Sequence, residues 1–324
     1  MLSIIYINYN STDFILQSIK SLYQYGLNIP HEIIVVNNSP EDLSVIEIKK
    51  NFENTLLLET GYNAGFARAN NCGLELASGD IVLLLNPDTY VVDNSIEQLY
   101  LSFSSSDLGA ATLQLYFEDG SKQLSAFYNV KGGLNTLLPL PGVGTILRKI
   151  NNGLRIKKTY ADTETPQMVE VDWIHGACLM FRKEILKITG SLDEDFFLYS
   201  EEIEWCGRIK KQYKIGFYNY YKLIHLEGKS SGQLFNNKQS GYLNVYGKKG
   251  LQLMLSNLVR IRKEFGSGWF LLHLLTYTMT IPLLFLMRVF DKKTKPLDFA
   301  KNVKYLIGKA PVILANKPYF YKVL

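Results

Sequence analysis

Four short apolar runs fall before residue 90, at 4–7, 33–36, 56–58 and 81–85, and none of them alternates in polarity. A strand with one wet face alternates with period two, so unbroken apolar runs belong to strands covered on both faces, as in a parallel sheet. Helical spacing lies between them. Phe14, Ile15, Ile19 and Leu22 recur on one face, and Ser39, Pro40, Glu41 and Asp42 offer an N-cap, a proline at the first helical position and early acidic residues. The βαβαβαβ alternation predicts an α/β doubly wound sheet, with its ligand crevice at the carboxyl ends of the strands.

The residues that end each run are therefore the ones to read for chemistry. They are Asn8, Tyr9 and Asn10, then Asn37, Asn38 and Ser39, then Asn86, Pro87 and Asp88. From about 108 to 160 the pattern loosens; Gly132, Gly133 and the Pro/Gly-rich stretch 139–144 read as loops, expected to face an acceptor. Regular structure resumes at 169–173 and 177–181, and a helix is expected from near Glu201 to about Gln212. The dinucleotide fingerprint Gly-x-Gly-x-x-Gly is missing after the first run, where Asn8, Tyr9 and Asn10 stand, so a nicotinamide-dependent oxidoreductase is set aside.

Residues 269–290 are apolar but interrupted by His273, Thr276, Thr278, Thr280, Pro282 and Arg288. The stretch is long enough to span a bilayer, but its polar positions favour a peripheral or re-entrant helix pair broken at Pro282. A helical hairpin packed on the core is the alternative. The formal charge of +5, from 35 basic and 30 acidic residues, is too small and dispersed to indicate a nucleic-acid partner. Basic residues gather towards the C-terminus, where Lys292, Lys293 and Lys295 follow the apolar stretch and suit an anionic lipid surface. Cys72, Cys178 and Cys206 fit neither a disulfide framework nor a zinc site, which favours a reducing cytoplasm. The N-terminus lacks the basic region and cleavage site of a secretory signal and reads as a buried first strand.

Three clusters carry candidate chemistry. Asp88 follows the strongest apolar run, where a carboxylate at a crevice suits Mg²⁺ or Mn²⁺. Taken alone, Asn86-Pro87-Asp88 is equally a common turn. Glu201, Glu202 and Glu204 crowd a helix start, where the helix dipole favours negative charge; Glu201 and Glu204 read as caps or braces, Glu202 as a base turned inward, and Arg208 as a brace for these carboxylates. His225 reads as a strand-end residue by itself, and as a metal ligand in company with Asp88.

Taken in order, the blocks at 8–10, 35–39, 63–71, 86–88, 173–182, 190–202 and 225–230 resemble the family-two glycosyltransferases of GT-A fold, most closely those of rhamnosyltransferase type. The resemblance covers residues 1 to about 232. It implies a GT-A fold, a Rossmann-like doubly wound mixed sheet, with a nucleotide-sugar-binding half at 1–105, an acceptor-binding and catalytic half at 106–232, and a C-terminal helical, membrane-associating extension at 233–324. Tyr9, Asn37 and Asn38 would hold the nucleobase and ribose; Asn63, Gly65, Arg68 and Asn86 would line the donor pocket. Asp88 would bind the divalent cation with His225 near it, Glu202 would be the base, with Glu201 and Arg208 supporting it, and Trp173 and Asp195 would border the acceptor. The family carries Asp where this chain has Asn37 and Asp where it has Glu202.

The implied activity is inverting, metal-dependent transfer of a sugar, rhamnose from dTDP-rhamnose, to a lipid-linked glycan at the cytoplasmic face of the cell membrane, in polysaccharide and cell-wall synthesis. A UDP-hexose or UDP-N-acetylhexosamine donor is the alternative within that chemistry. A non-catalytic nucleotide-sugar-binding subunit of a glycan assembly complex is the alternative outside it.

Overall fold

A computed structural model of the chain describes residues 1–153, 160–161, 165–226 and 245–323. The expected His225 to Ser230 block is thus described only at His225 and Leu226; residues 227–230 lie outside the described residues. The residues divide into two compact units, Met1–Tyr128 with Tyr160–Glu194 and Glu202–Lys238, and Asn129–Thr159 with Asp195–Glu201 and Gln239–Leu324.

The first unit is a mixed nine-stranded sheet flanked by helices. It opens with β1 (Leu2–Asn8), α1 (Thr12–Gln24), β2 (His31–Asn37), α2 (Ile46–Asn51), β3 (Leu56–Glu59), α3 (Gly65–Leu76) and β4 (Ile81–Leu85). These four strands are parallel and lie in the order β3-β2-β1-β4. The chain winds outward from β1 to β3 and then returns to β1's other side, so the carboxyl ends of β1 and β4 form a topological switch point.

The reason the apolar runs do not alternate is visible in β1. Ile4 and Tyr6 belong to the core on one face of the sheet, with Ile15, Ile19 and Leu83. Ile5 and Ile7 belong to the core on the other, with Val36, Ala67 and Leu84. Gly73 of α3 lets that helix approach closely, since a Cβ there would stand 2.7 Å from Ile5 Cγ2.

Beyond β4 come β5 (Thr89–Tyr90), α4 (Ser95–Ser104), β6 (Ala110–Tyr116) and β7 (Ala126–Phe127). α5 (Val143–Gly153), in the second unit, precedes β8 (Met168–Val171), β9 (Trp173–Ile174), β10 (Cys178–Arg182), α6 (Leu186–Thr189), α7 (Glu201–Ile209) and β11 (Ile215–His225). β10 inserts antiparallel between β4 and β6, and β11 runs parallel to β6. The helix expected to begin after Ser39 starts later, at Ile46, behind a short turn in which Asp42 accepts from Ser44 N; Ser39 Oγ donates instead to Asn10. α7 also ends before Gln212, at Ile209.

The second unit is helical, with α8 (Lys248–Phe265), α9 (Ser267–Phe290) and α10 (Pro296–Ala315) around a core that includes Leu255, Leu258, Phe270, Tyr277 and Phe299. The stretch 129–144 belongs to it: a Cβ on Gly133, whose φ is +67°, would meet Ile261 at 2.0 Å. The break expected at Pro282 is absent, and α9 runs through it as one helix. The proline removes a single N–H, while its buried stripe packs in the core and Thr276, Thr278 and Thr280 bond to the carbonyls four residues earlier.

Candidate active site

Asp88 follows β4 by three residues, in the turn that leads to β5. Two main-chain bonds fix that turn, Asn86 N to Ala177 O at 2.9 Å and Leu226 N to Asp88 O at 2.9 Å. The second bond ties Asp88 to the end of β11, whose His225 pairs in register with Thr89. The carboxylate of Asp88 and the imidazole of His225 thus meet in the interior, 1% and 4% exposed, with Oδ1 and Nε2 3.5 Å apart. A cavity of ≈ 490 Å³, lined by Phe117, Glu118, Asp119, His225 and Leu226, opens beside them.

One carboxylate oxygen and one imidazole nitrogen are donors that Mn²⁺ accepts. Among the described residues no group of three His, Cys, Asp or Glu side chains could hold a metal ion. Two protein ligands still fit the group, because a hard cation in phosphate-transfer sites keeps positions for substrate phosphates and water.

Sequence reasoning passed over two neighbours. His175 lies with its ring 5.5 Å from that of His225, and its Nδ1 accepts from Ala177 N at 3.1 Å. Desolvation by burial, with a smaller electrostatic contribution from the neighbouring His225 ring and opposed by Asp88, pushes its pKa down to about 3, so it is neutral at physiological pH. Gln123 is buried and bonds to both the carbonyl and the ring of His225. Gln123 belongs to no pattern that marks chemistry in one dimension, and His175 lies in the 173–182 block without a role assigned to it there; both come to the site by strand pairing.

The same 173–177 segment leads to the expected base. Glu202, half-buried on the first turn of α7, packs on Gly176, whose added Cβ would stand 3.6 Å from Glu202 Cγ. Arg208 braces Glu204 with a two-nitrogen clasp, Nε to Oε1 at 2.8 Å and Nη2 to Oε2 at 2.7 Å, and also donates to the carbonyls of Thr189 and Ser191. Trp173 stacks on Phe127 with ring centroids 3.8 Å apart. Two expected residues belong to the second unit. There Asp195 pairs with Lys263 Nζ at 2.7 Å and accepts from Tyr319 N, while Glu201 is buried beyond two successive left-handed residues, Tyr199 and Ser200.

At the ends of β1 and β2 the expected donor-binding amides form a network. Asn37 Oδ1 accepts from Asn8 Nδ2 at 3.0 Å, and Asn37 Nδ2 donates to Glu59 at 2.9 and 3.1 Å. Asn38 Oδ1 accepts from Ala64 N at 2.7 Å, and its nitrogen reaches Asn63 Oδ1 and the Gly65 carbonyl. Asn63 in turn accepts from Gly65 N, whose φ of +77° favours glycine, at the start of α3. Arg68, one turn on, donates to the Glu194 carbonyl at 3.1 Å. Tyr9 is half-buried beside this network.

The description Glycosyl transferase family 2 belongs to the family model that matches residues 3–187. The low-salt glycan biosynthesis hexosyltransferase Agl10 of Haloferax volcanii is 28% identical over 217 residues, 65% of this chain and 62% of that protein, so less than two thirds of that relative's length is spanned. The N-acetylglucosaminyl-diphospho-decaprenol L-rhamnosyltransferase of Mycobacterium tuberculosis is 25% identical over 63% of this chain and 69% of its own length. Among solved structures, GalNAc-T7 with UDP, GalNAc and Mn²⁺ superposes with a TM-score of 0.54 at 14% identity, over 83% of this chain and 49% of that one, a likeness of fold.

Proposed function

The chain belongs to glycosyl transferase family 2, and on that premise we propose that it is an inverting, metal-dependent transferase that moves a sugar from a nucleotide-diphosphate donor to a lipid-linked glycan. The observation that carries this reading is the buried Asp88 and His225 pair at the switch point, with Glu202 against the segment that anchors the Asp88 turn. A relative named as a rhamnosyltransferase acting on a lipid-linked acceptor favours rhamnose from dTDP-rhamnose, with UDP-hexose and UDP-N-acetylhexosamine donors as the alternatives. Cell-surface polysaccharide synthesis at the cytoplasmic membrane face is the setting in which such an acceptor is met.

Asp88 and His225 would hold Mg²⁺ or Mn²⁺. Once bound, the cation supplies charge stabilisation to the departing diphosphate. Glu202 takes the proton from the acceptor hydroxyl, and that oxygen forms its bond to the anomeric carbon from the face opposite the diphosphate. The bond from anomeric carbon to phosphate oxygen breaks with its electron pair on the diphosphate. A single displacement inverts the anomeric centre, and no glycosyl group is held on the protein.

Membrane association is part of the proposal, supported by α9. This helix is long and apolar enough to cross a bilayer, and while its buried stripe holds Phe270, His273, Tyr277, Thr280 and Leu284, a second apolar set, Leu271, Leu275, Met279, Leu286, Val289 and Phe290, faces outward. A helix in water carries polar residues on its outward face.

Glu202→Gln tests the chemistry. It keeps the shape and removes the base, so donor affinity is expected to persist while turnover falls by a factor on the order of 10²–10⁴. Joint loss of donor binding and turnover would point to a structural or metal role instead. NMR of the product's anomeric configuration checks inversion separately.

A further inference from the structure

Gln123 lies in the connection between β6 and β7 and is buried. Its main chain is fixed, with N donating to Leu115 O at 2.9 Å and O accepting from Gln114 Nε2 at 2.7 Å. Its side-chain nitrogen donates to the His225 carbonyl at 2.6 Å and stands 3.4 Å from the Tyr116 carbonyl. Carbonyls only accept, so the amide must present its nitrogen to them and not its oxygen. Oε1 is thereby turned to His225 Nδ1, at 2.9 Å.

An amide oxygen cannot donate, so Nδ1 of His225 must carry a proton, and in the neutral imidazole Nε2 is then the lone pair. Nε2 is the atom that faces Asp88, 3.5 Å from Oδ1, with both side chains almost fully enclosed. Two acceptors so placed repel each other in a medium of low dielectric, and a cation between them turns the repulsion into coordination. We propose that Gln123 is a positioning residue, which locks His225 as its Nδ1–H tautomer and so directs the Nε2 lone pair onto the divalent cation shared with Asp88. The inference rests on the metal-dependent reading above.

The chain has four histidines, so ¹⁵N-histidine NMR of the wild-type protein can report each tautomer, with the His225 signals assigned by their loss in His225→Asn. The expected result for the neutral ring, read at alkaline pH, is a protonated Nδ1 and a bare Nε2. Calorimetry with Mn²⁺ and dTDP or UDP then compares Gln123→Met, which keeps length and loses the amide, with Gln123→Glu, which as the neutral acid donates to the His225 carbonyl and still accepts from Nδ1–H. Gln123→Met is expected to bind Mn²⁺ about 10- to 100-fold more weakly, the usual cost of removing the hydrogen-bond partner of a metal-bound histidine, and Gln123→Glu to regain most of that loss.

A bare Nδ1 in the neutral ring of the wild type overturns the proposal without any variant having to fold. So does unchanged Mn²⁺ affinity in Gln123→Met, or a Glu variant no better than the Met one, which is the pattern of a purely structural amide. Failure of the metal reading itself is distinguishable, since wild type and variants alike would then bind no Mn²⁺.

Discussion

At Asn37 both ends of the amide are engaged, the oxygen by Asn8 and the nitrogen by the carboxylate of Glu59. An aspartate there, which the family resemblance implies, would set two carboxylates about 3 Å apart. Asn37→Asp is therefore predicted to lower stability at neutral pH, by on the order of 1–3 kcal/mol in chemical denaturation, through one lost charge-assisted hydrogen bond and one new repulsion. Asn37→Asp with Glu59→Gln should restore it, because donor and acceptor then simply exchange strands; failure of that rescue would mean that the pairing with Glu59 does not explain the asparagine. The partner itself was not legible in sequence, since Glu59 sits at the end of a short, half-exposed strand and only the parallel register of β2 and β3 brings it opposite Asn37. Asp88 and Glu202 could be read because each follows or begins an element that hydrophobic pattern reveals. His175 and Gln123 could not, for a lone histidine or glutamine carries no spacing, and their positions follow from β6, β7, β9 and β11 having paired.

Among the elements, β6, β7 and α5 fall in the stretch whose pattern loosens, and β6 was the most consequential one hidden there. Its sequence Ala110-Ala111-Thr112-Leu113-Gln114-Leu115-Tyr116 is not an apolar run, yet it lies between β10 and β11 in the middle of the sheet. Thr112 and Gln114 are buried there because their polar atoms are satisfied, Thr112 Oγ1 donating to Cys178 O at 2.6 Å and Gln114 Nε2 to Gln123 O at 2.7 Å. The parallel strands β1 to β4 confine their polar residues to the first two positions and the carboxyl end of each strand, and their apolar centres were legible throughout. At α9 composition identified the segment but misjudged the proline, since a Pro in a helix held by packing costs one hydrogen bond and not the helix. Its outward apolar face carries a prediction of its own. Leu275→Lys with Leu286→Lys, both at exposed positions, should leave thermal stability near wild type and abolish co-sedimentation with anionic phospholipid vesicles. Unchanged vesicle binding would remove α9 from the membrane reading.

For the molecule as a whole, the second unit gathers three separate stretches of chain, and α8 is its anchor. Lys263 of α8 pairs with Asp195, Asn257 accepts from Ser200 Oγ at 2.9 Å, and Ser256 Oγ donates to Leu198 O at 2.7 Å. The residues just before Glu201 are therefore held by the C-terminal helices, although they lie far from them in sequence, and that long-range dependence is invisible to local pattern. The first unit carries the switch point, the Asp88 and His225 pair and Glu202. Its function turns on whether a cation held at Asp88 recruits the donor. Isothermal titration of the intact protein with dTDP-rhamnose and with UDP-sugars, with Mn²⁺ and then with chelator, addresses that directly, using Asp88→Asn as the control that preserves shape. Binding of one nucleotide sugar that needs Mn²⁺ and is lost in Asp88→Asn, with the melting temperature of the ligand-free protein little changed, is the predicted result. Equal donor affinity in chelator, or an Asp88→Asn protein that binds donor and Mn²⁺ as the wild type does, would contradict it.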